Sequence, residues 1–311
     1  MTKEVAERGM GDLLDLFNRD QKPSLRNYLL VLDGDARGFT SIVMEEEQFM
    51  GLYLYQLMNS QNRTLGIIDC QMYTFIERLN NPSCVNVVPV LKFTTIQAQV
   101  GAPSGGQSAG EQSSNHSSKE GGGGGSGGSG GSDSVPTLQQ PYVYIDGAAV
   151  FVKTQMKAQL SARELEVYKL LTGKVHAGLL TASNPDAEGK LLGFSTLKNK
   201  FHSSATLEGD QVRLSLQLDL RVGLLEAQQT YNATPETIEQ SRQNLHDVVS
   251  TRISELFERM RDENIDLFEI RKMMEDQYIF TLPEDFLKNT ELDLTVNIIM
   301  DSLGTLKSSY Y

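Results

Sequence analysis

The sequence predicts an α+β protein, made of two mixed α/β domains with largely antiparallel sheets covered by helices and joined by a Gly/Ser-rich tether. Three observations carry this. Val212, Leu214, Leu216, Leu218, Leu220 and Val222 alternate with polar residues, the period of a strand with one face on a core. Ile238, Leu245, Val249, Ile253, Leu256 and Met260 recur at helical spacing and draw one apolar stripe that needs a partner surface. Residues 98–140 lose nearly all large apolar side chains and contain the Gly/Ser run from Gly121 to Ser132. Such a segment buries too little to offset the entropy of ordering its backbone, so it is expected to be disordered. Its span would be roughly 35 Å by the square-root rule for flexible chains. The expected domains are therefore 1–97 and 141–311.

Taken in order, Met10–Phe17 has apolar residues at helical spacing and is stopped by Asn18-Arg19-Asp20 and Pro23. Tyr28–Asp33 is a continuous apolar run, predicting a strand covered on both faces. Glu45–Asn59 and Thr74–Leu79 are predicted helices, the second ended by Asn80-Asn81-Pro82. Val85–Phe93 predicts a strand, with Pro89 placing it at an edge or a bulge because proline cannot donate to a ladder.

Beyond the tether, Tyr142–Ile145, Asp146-Gly147 and Ala148–Val152 predict a hairpin turning at Asp-Gly. Ser161-Ala-Arg-Glu164 is a capping box, opening a helix with Leu165, Tyr168 and Leu171 on one face and Gly173 just past its end. Val175–Leu180 and Leu191–Ser203 predict strands, the latter joined to the alternating strand as an antiparallel hairpin through Glu208-Gly209-Asp210. Thr234-Pro235 starts the long helix, the hydroxyl capping free N–H groups and Pro235 needing none. Asp266 is placed to cap a second helix through Leu267, Ile270 and Met274, and Leu282-Pro283 repeats the proline-first start. Leu292, Leu294, Val296, Ile298 and Met300 alternate as a closing strand, interrupted at Ile299.

The formal net charge of −12 excludes a nucleic-acid backbone or an anionic membrane surface as the main electrostatic partner. No apolar run approaches the ~18 residues of a membrane helix, and the first residues lack the apolar core of a signal peptide. Cys70 and Cys84 are expected as two buried thiols, without the ligand set of a zinc site. His116 falls in the tether, and His176, His202 and His246 fall in three separate elements, without carboxylates or thiols at ligand spacing. Asp262, Glu263 and Asp266 form the sharpest acidic cluster, weighed as a helix-end cap against an acid/base pair. Ser203 and Ser215 lack a nucleophile-elbow setting, and Arg19 with Asp20 suggests a structural ion pair. The expectation is no catalytic, cofactor-binding or metal-binding residue, and no cofactor.

Asp146-Gly-Ala-Ala-Val-Phe151, the capped Leu-rich helix, the long strand pair, Asn264-Ile-Asp-Leu-Phe268, Leu282-Pro283 and the last strand to Gly304, in that order, resemble the C-terminal domain of the Ger(x)C family. Gly9–Asp20 and Leu32-Asp-Gly-Asp-Ala36 resemble the middle of the same family. These are C subunits of bacterial spore germinant receptors. The resemblance implies a non-enzymatic lipoprotein subunit on the outer surface of the spore inner membrane, beside integral-membrane A and B subunits. It implies no nucleic-acid partner, and membrane association only through those partners or a missing lipid anchor. The chain is read as lacking the family's N-terminal lipobox region. Cys70 cannot serve as the lipid-modified cysteine, and Phe286 stands where the family usually has tryptophan. The expected function is protein–protein contact in nutrient-triggered spore germination. The alternatives are a hydrolase using the acidic cluster near Asp266, or an extracellular polymer-binding module with an aromatic row from Tyr142, Tyr144 and Phe151.

Overall fold

A computed structural model describes residues 1–19, 26–40, 49–60, 64–98, 138–173, 175, 178–209, 211–278 and 282–302. The chain divides into a unit of Met1–Phe93 with Val143–Tyr311 and a unit of Thr94–Tyr142. The predicted disorder of the tether lies, between 99 and 137, outside the described residues. The described parts of the smaller unit are the last residues of one strand and the first of another.

The fold is α+β, with two four-stranded sheets among the described residues. The first half contributes α1 (Lys3–Arg8), α2 (Gly11–Arg19), β1 (Val31–Leu32), α3 (Ala36–Thr40), α4 (Met50–Asn59), α5 (Met72–Leu79) and β2 (Val85–Ala98). β3 (Leu138–Val152) and β4 (Gln155–Leu160) complete its sheet in the order β1-β2-β3-β4. Then come α6 (Ala162–Thr172), β5 (Gly178–Ser183), β6 (Leu191–Glu208), β7 (Gln211–Ala227), α7 (Pro235–Asp262), α8 (Ile270–Gln277), a 3-10 turn at Phe286–Asn289 and β8 (Thr290–Ser302). The second sheet runs β5-β6-β7-β8.

Several expectations change on contact with tertiary structure. The strand predicted over Tyr28–Asp33 shrinks to Val31–Leu32, both buried. β2 is a central strand, not an edge. Pro89 is tolerated because the ladder to β1 begins one residue later, at Val31 opposite Val90 and Leu32 opposite Leu91. The Asp146-Gly147 turn does not exist. β3 runs straight through it, and the hairpin turns at Lys153-Thr154, with Lys153 at φ +56° and Val152 facing Gln155. Gly147 is needed for another reason: its φ is +74°, and a β-carbon there would lie 1.9 Å from the Leu160 carbonyl oxygen. The dipeptide that reads as a turn is thus a point of close backbone approach within the sheet.

The second sheet follows its pattern closely. β7 alternates buried and outward residues, and Gly209, at φ +64°, lies between it and its antiparallel neighbour β6. β8 joins β7 in parallel, from Val212 opposite Thr290 to Val222 opposite Met300, which residue alternation alone does not specify. Parallel neighbours need a long crossover, and α7 with α8 supplies it. α7 packs on β8 and β5, with α6 against its flank. Leu245, Val249, Ile253, Leu256 and Met260 are buried in one core with Leu214, Leu216, Leu218 and Leu220, while Ile238 at the helix start is only half-buried. Each such side chain contributes about 1.5–3 kcal/mol of transfer free energy.

Helix ends obey their sequence signals with two exceptions. Ser161 accepts from the Glu164 N–H while Glu164 accepts from the Ser161 N–H, and Thr234 accepts from the Thr237 N–H. At the far end of α6, Asn199 from β6 donates to the Leu170 and Gly173 carbonyls and accepts from the Val175 N–H, satisfying groups a helix end leaves free. The first exception is α8, which starts at Ile270, so Asp266 caps it from four residues upstream and Leu267 stays outside. The second is Leu282-Pro283, which opens no helix; the 3-10 turn begins only at Phe286.

Gly147→Ala is expected to destabilise the fold by about 2–4 kcal/mol, combining positive φ with a backbone clash. Gly189→Ala, at φ +70° with open space around the new methyl, is expected to cost only about 1 kcal/mol. Urea denaturation of the two variants distinguishes them, and equal losses would refute the close-approach role of Gly147.

Candidate functional site

Three features stand out: a latch tying α8 to the loop before β2, a polar cleft beside it, and an apolar cavity in the first half. In the latch, Asp266 is buried and both its oxygens are engaged. Oδ1 accepts from the Ile270 N–H at 2.7 Å, and Oδ2 accepts from the Arg271 N–H at 2.9 Å and the Ser83 hydroxyl at 2.6 Å. Burial pushes its carboxyl above the usual range, against the pull of those donors towards the anion. Asn81 donates to Glu269 at 3.3 Å, and Arg78 pairs with Glu269 at 3.5 Å. Arg271 lies 4.9 Å over the Phe286 ring and donates to the Leu282 and Pro283 carbonyls, tying the segment after α8 back to it.

The acidic cluster read from sequence is therefore not one site. Asp262 sits exposed beside Arg261, Glu263 lies 3.9 Å from Arg259, and Asp266 turns inward to its own helix. An acid/base pair needs free oxygens aimed at a shared cavity, and Asp266 has none to offer. The aromatic row does not form either. Phe151 is fully buried edge-to-face with Phe75 at 5.4 Å, while Tyr142 is exposed and Tyr144 half-buried.

The remaining candidates are dispersed. Arg19 pairs with Asp15 at 2.9 Å, its neighbour Asp20 lying outside the described residues. His202 is exposed on β6 and His246 contacts Asp247 at 3.1 Å, while His116 and His176 lie outside the described residues. Ser203 is exposed but stands opposite Leu216 on the helix-covered side of the second sheet, whereas Ser215 is half-buried on its outer face. Both cysteines are free. Burial pushes the Cys70 thiol up to about 12, whereas Cys84 is only half-buried, at φ +49°. Among the described residues no three His, Cys, Asp or Glu side chains gather as a metal site.

The polar cleft, about 350 Å³, is lined by Asp69, Thr74, Arg78, Asn86, Tyr168 and Lys169 among others. Lys169 is buried and donates to the Thr64 carbonyl at 2.7 Å and to the Ile67 carbonyl. Burial lowers its ammonium to about 8, opposed by the charge of Asp69. Sequence reading passed over this lysine, yet its place one helical turn after Leu165 marks it as inward-facing. Arg78 and Ser83 gave no local signal, because they acquire their roles only from residues nearly two hundred positions away.

The apolar cavity, about 540 Å³ and partly open, is lined by residues from β1, β2 and four helices. It lies where the core of the first half fails to close. One cluster gathers Met10, Leu14, Phe75, Val88 and Phe151, and another gathers Leu32, Leu91 and Val143 with Phe39 and Leu54 packed against it. A dry sealed void of that volume would cost roughly 13 kcal/mol at ~24 cal/mol per Å³, as much as a typical domain's whole stability. The space is consequently solvent-accessible or filled.

Residues 146–304 match the family described as "Spore germination B3/ GerAC like, C-terminal", and residues 1–93 match "Spore germination protein N-terminal domain". The chain belongs to the GerAC-like family of spore germination proteins. Its role accordingly lies in spore germination, in the context of the germinant-receptor C subunits. The solved structure titled "Crystal Structure of the GerBC protein" is similar in fold, with a TM-score of 0.64 over 97% of this chain and 77% of that one. At 10% identity that likeness speaks for the fold alone. No curated protein matches this chain. Among the described residues of this GerAC-like chain, no helix is long and apolar enough to cross a membrane.

Two outcomes follow for the cleft and the latch. The unfolded chain holds the Lys169 proton up to about pH 10.5 while the folded chain releases it near pH 8. Native protein then binds fewer protons, so its stability relative to Lys169→Met is expected to rise as pH increases between those values. Denaturation curves across that window check the sign; a flat difference would refute it. Ser83→Ala is expected to cost about 1–3 kcal/mol by leaving a buried carboxylate oxygen short of a donor. In Asp266→Asn the same change should cost measurably less, a difference read from a double-mutant cycle.

Proposed function

We propose that this chain is a non-enzymatic subunit of a germinant receptor, acting by protein–protein contact in nutrient-triggered germination. Its partners on this reading are the integral-membrane A and B subunits, at the outer surface of the spore inner membrane. The family and the fold support the setting. The observation that carries the contact reading is β8. It is thirteen residues long, ends the order of its sheet, and among the described residues pairs only with β7. Its outer rim therefore presents unpaired main-chain donors and acceptors to an incoming strand.

Ile299 interrupts the alternation of β8 and stands half-exposed on the outer face, beside Asn297 and Asp301. An apolar residue there gives a strand-adding partner something to cover, whereas a lysine at an edge repels one. The latch braces the sheet from the other side, because α8 packs on β6 and is itself fixed to Ser83.

Tagged wild-type chain is expected to co-purify with the A and B subunits from detergent-solubilised spore membranes. Ile299→Lys should reduce that recovery at least about tenfold, equivalent to about 1.4 kcal/mol, without lowering the melting temperature. Failure of the wild-type chain to recover either subunit would refute the assignment. Undiminished recovery by Ile299→Lys would refute the role of the β8 edge.

A further inference from the structure

We propose that the apolar cavity of the first half is a binding site for a single alkyl chain. The inference is independent of the receptor contacts above, since the cavity lies in the first sheet's half and β8 in the second sheet. The cavity has the size of a small-molecule site, and its lining assigns the chemistry. Met10, Leu13, Phe17, Phe39, Leu54 and Met72 contribute side chains without a charge or a strong hydrogen-bonding group. The polar groups there are the Met1 ammonium, which already donates to the Leu30 carbonyl at 2.9 Å, and Thr2, Asn27 and Tyr28, which are half-buried or exposed, Tyr28 already reaching Asn59. With those groups few and two of them already paired, a polar ligand would lose its hydration with little compensation along the apolar wall. An alkyl chain would lose nothing polar.

A second observation points the same way. Leu13, Phe17, Phe39 and Leu54 are only half-buried, although each packs against one of the two core clusters. Large apolar side chains from α2, α3 and α4 thus leave contact area uncovered at one place, between clusters that would merge if the space were filled. Methionines in the wall adjust to ligands of different length at little cost. Shape does not select one chain length, and a free fatty acid and the tail of a membrane lipid both offer such a chain; the two sources are separable.

The experiment uses the full chain with tetradecanoic acid, followed by isothermal titration and by thermal unfolding. One-to-one binding in the micromolar range, with a raised melting temperature, is expected. Ala36→Trp places an indole at an exposed lining position on α3, and Leu13→Trp places one at a half-buried lining position on α2. Each should weaken binding at least about tenfold while the ligand-free protein melts no lower than wild type. If one variant fails to fold, the other still decides.

Flotation with phosphatidylcholine vesicles separates the sources. Binding that both plugs abolish identifies a lipid tail, and titration with free acid but no flotation identifies a soluble fatty acid. Either result supports the site. Absence of binding to both probes, or binding that neither tryptophan reduces, overturns it.

Discussion

The parallel pairing of β7 with β8 is the constraint on which the rest of the second half depends. Antiparallel neighbours can be joined by a tight turn, but parallel ones require the chain to travel back along the whole strand. Here α7 makes that return, and its length matches the long ladder beneath it. Once the crossover lies on the sheet, the stripe of Leu245, Val249, Ile253, Leu256 and Met260 must meet the inward residues of β7. The polar residues of the strands are left on the opposite face.

The same connection positions the latch. Because the crossover ends at α8 before the chain enters β8, Asp266 reaches Ser83 in the first half of the molecule. Its buried carboxylate serves two backbone N–H groups and one hydroxyl. Removing any one partner leaves charge uncompensated in a place water cannot reach. A catalytic acid or base needs the reverse arrangement, with an oxygen left free in a cleft. The carboxylate that looked most like chemistry in the sequence is thus committed to architecture.

The first half is built differently. Its sheet has a two-residue β1, a proline in its central strand and a core divided into separate clusters. Local patterning there is weaker because helices α1 to α5 are short and each covers little of the sheet. That looseness is what leaves room for an apolar cavity, whereas the opening of about 870 Å³ between α7 and the β6–β8 ladder of the second half is lined by charged and polar residues such as Lys198, Asp219, Arg242 and His246.

What was legible in the sequence is what one element decides by itself. The alternation of β7, the stripe of α7 and the caps at Ser161 and Thr234 depend on neighbours a few residues away, so period and hydrogen-bonding chemistry determined them. The order of motifs likewise carried the family. Only the tertiary structure decided that β8 runs parallel, that Gly147 accommodates the Leu160 carbonyl and makes no turn, that Pro89 sits inside a sheet, and that Asp266 answers to Ser83. Those features are fixed by groups distant in the chain, and a residue's own sequence neighbourhood holds no record of what will be brought against it.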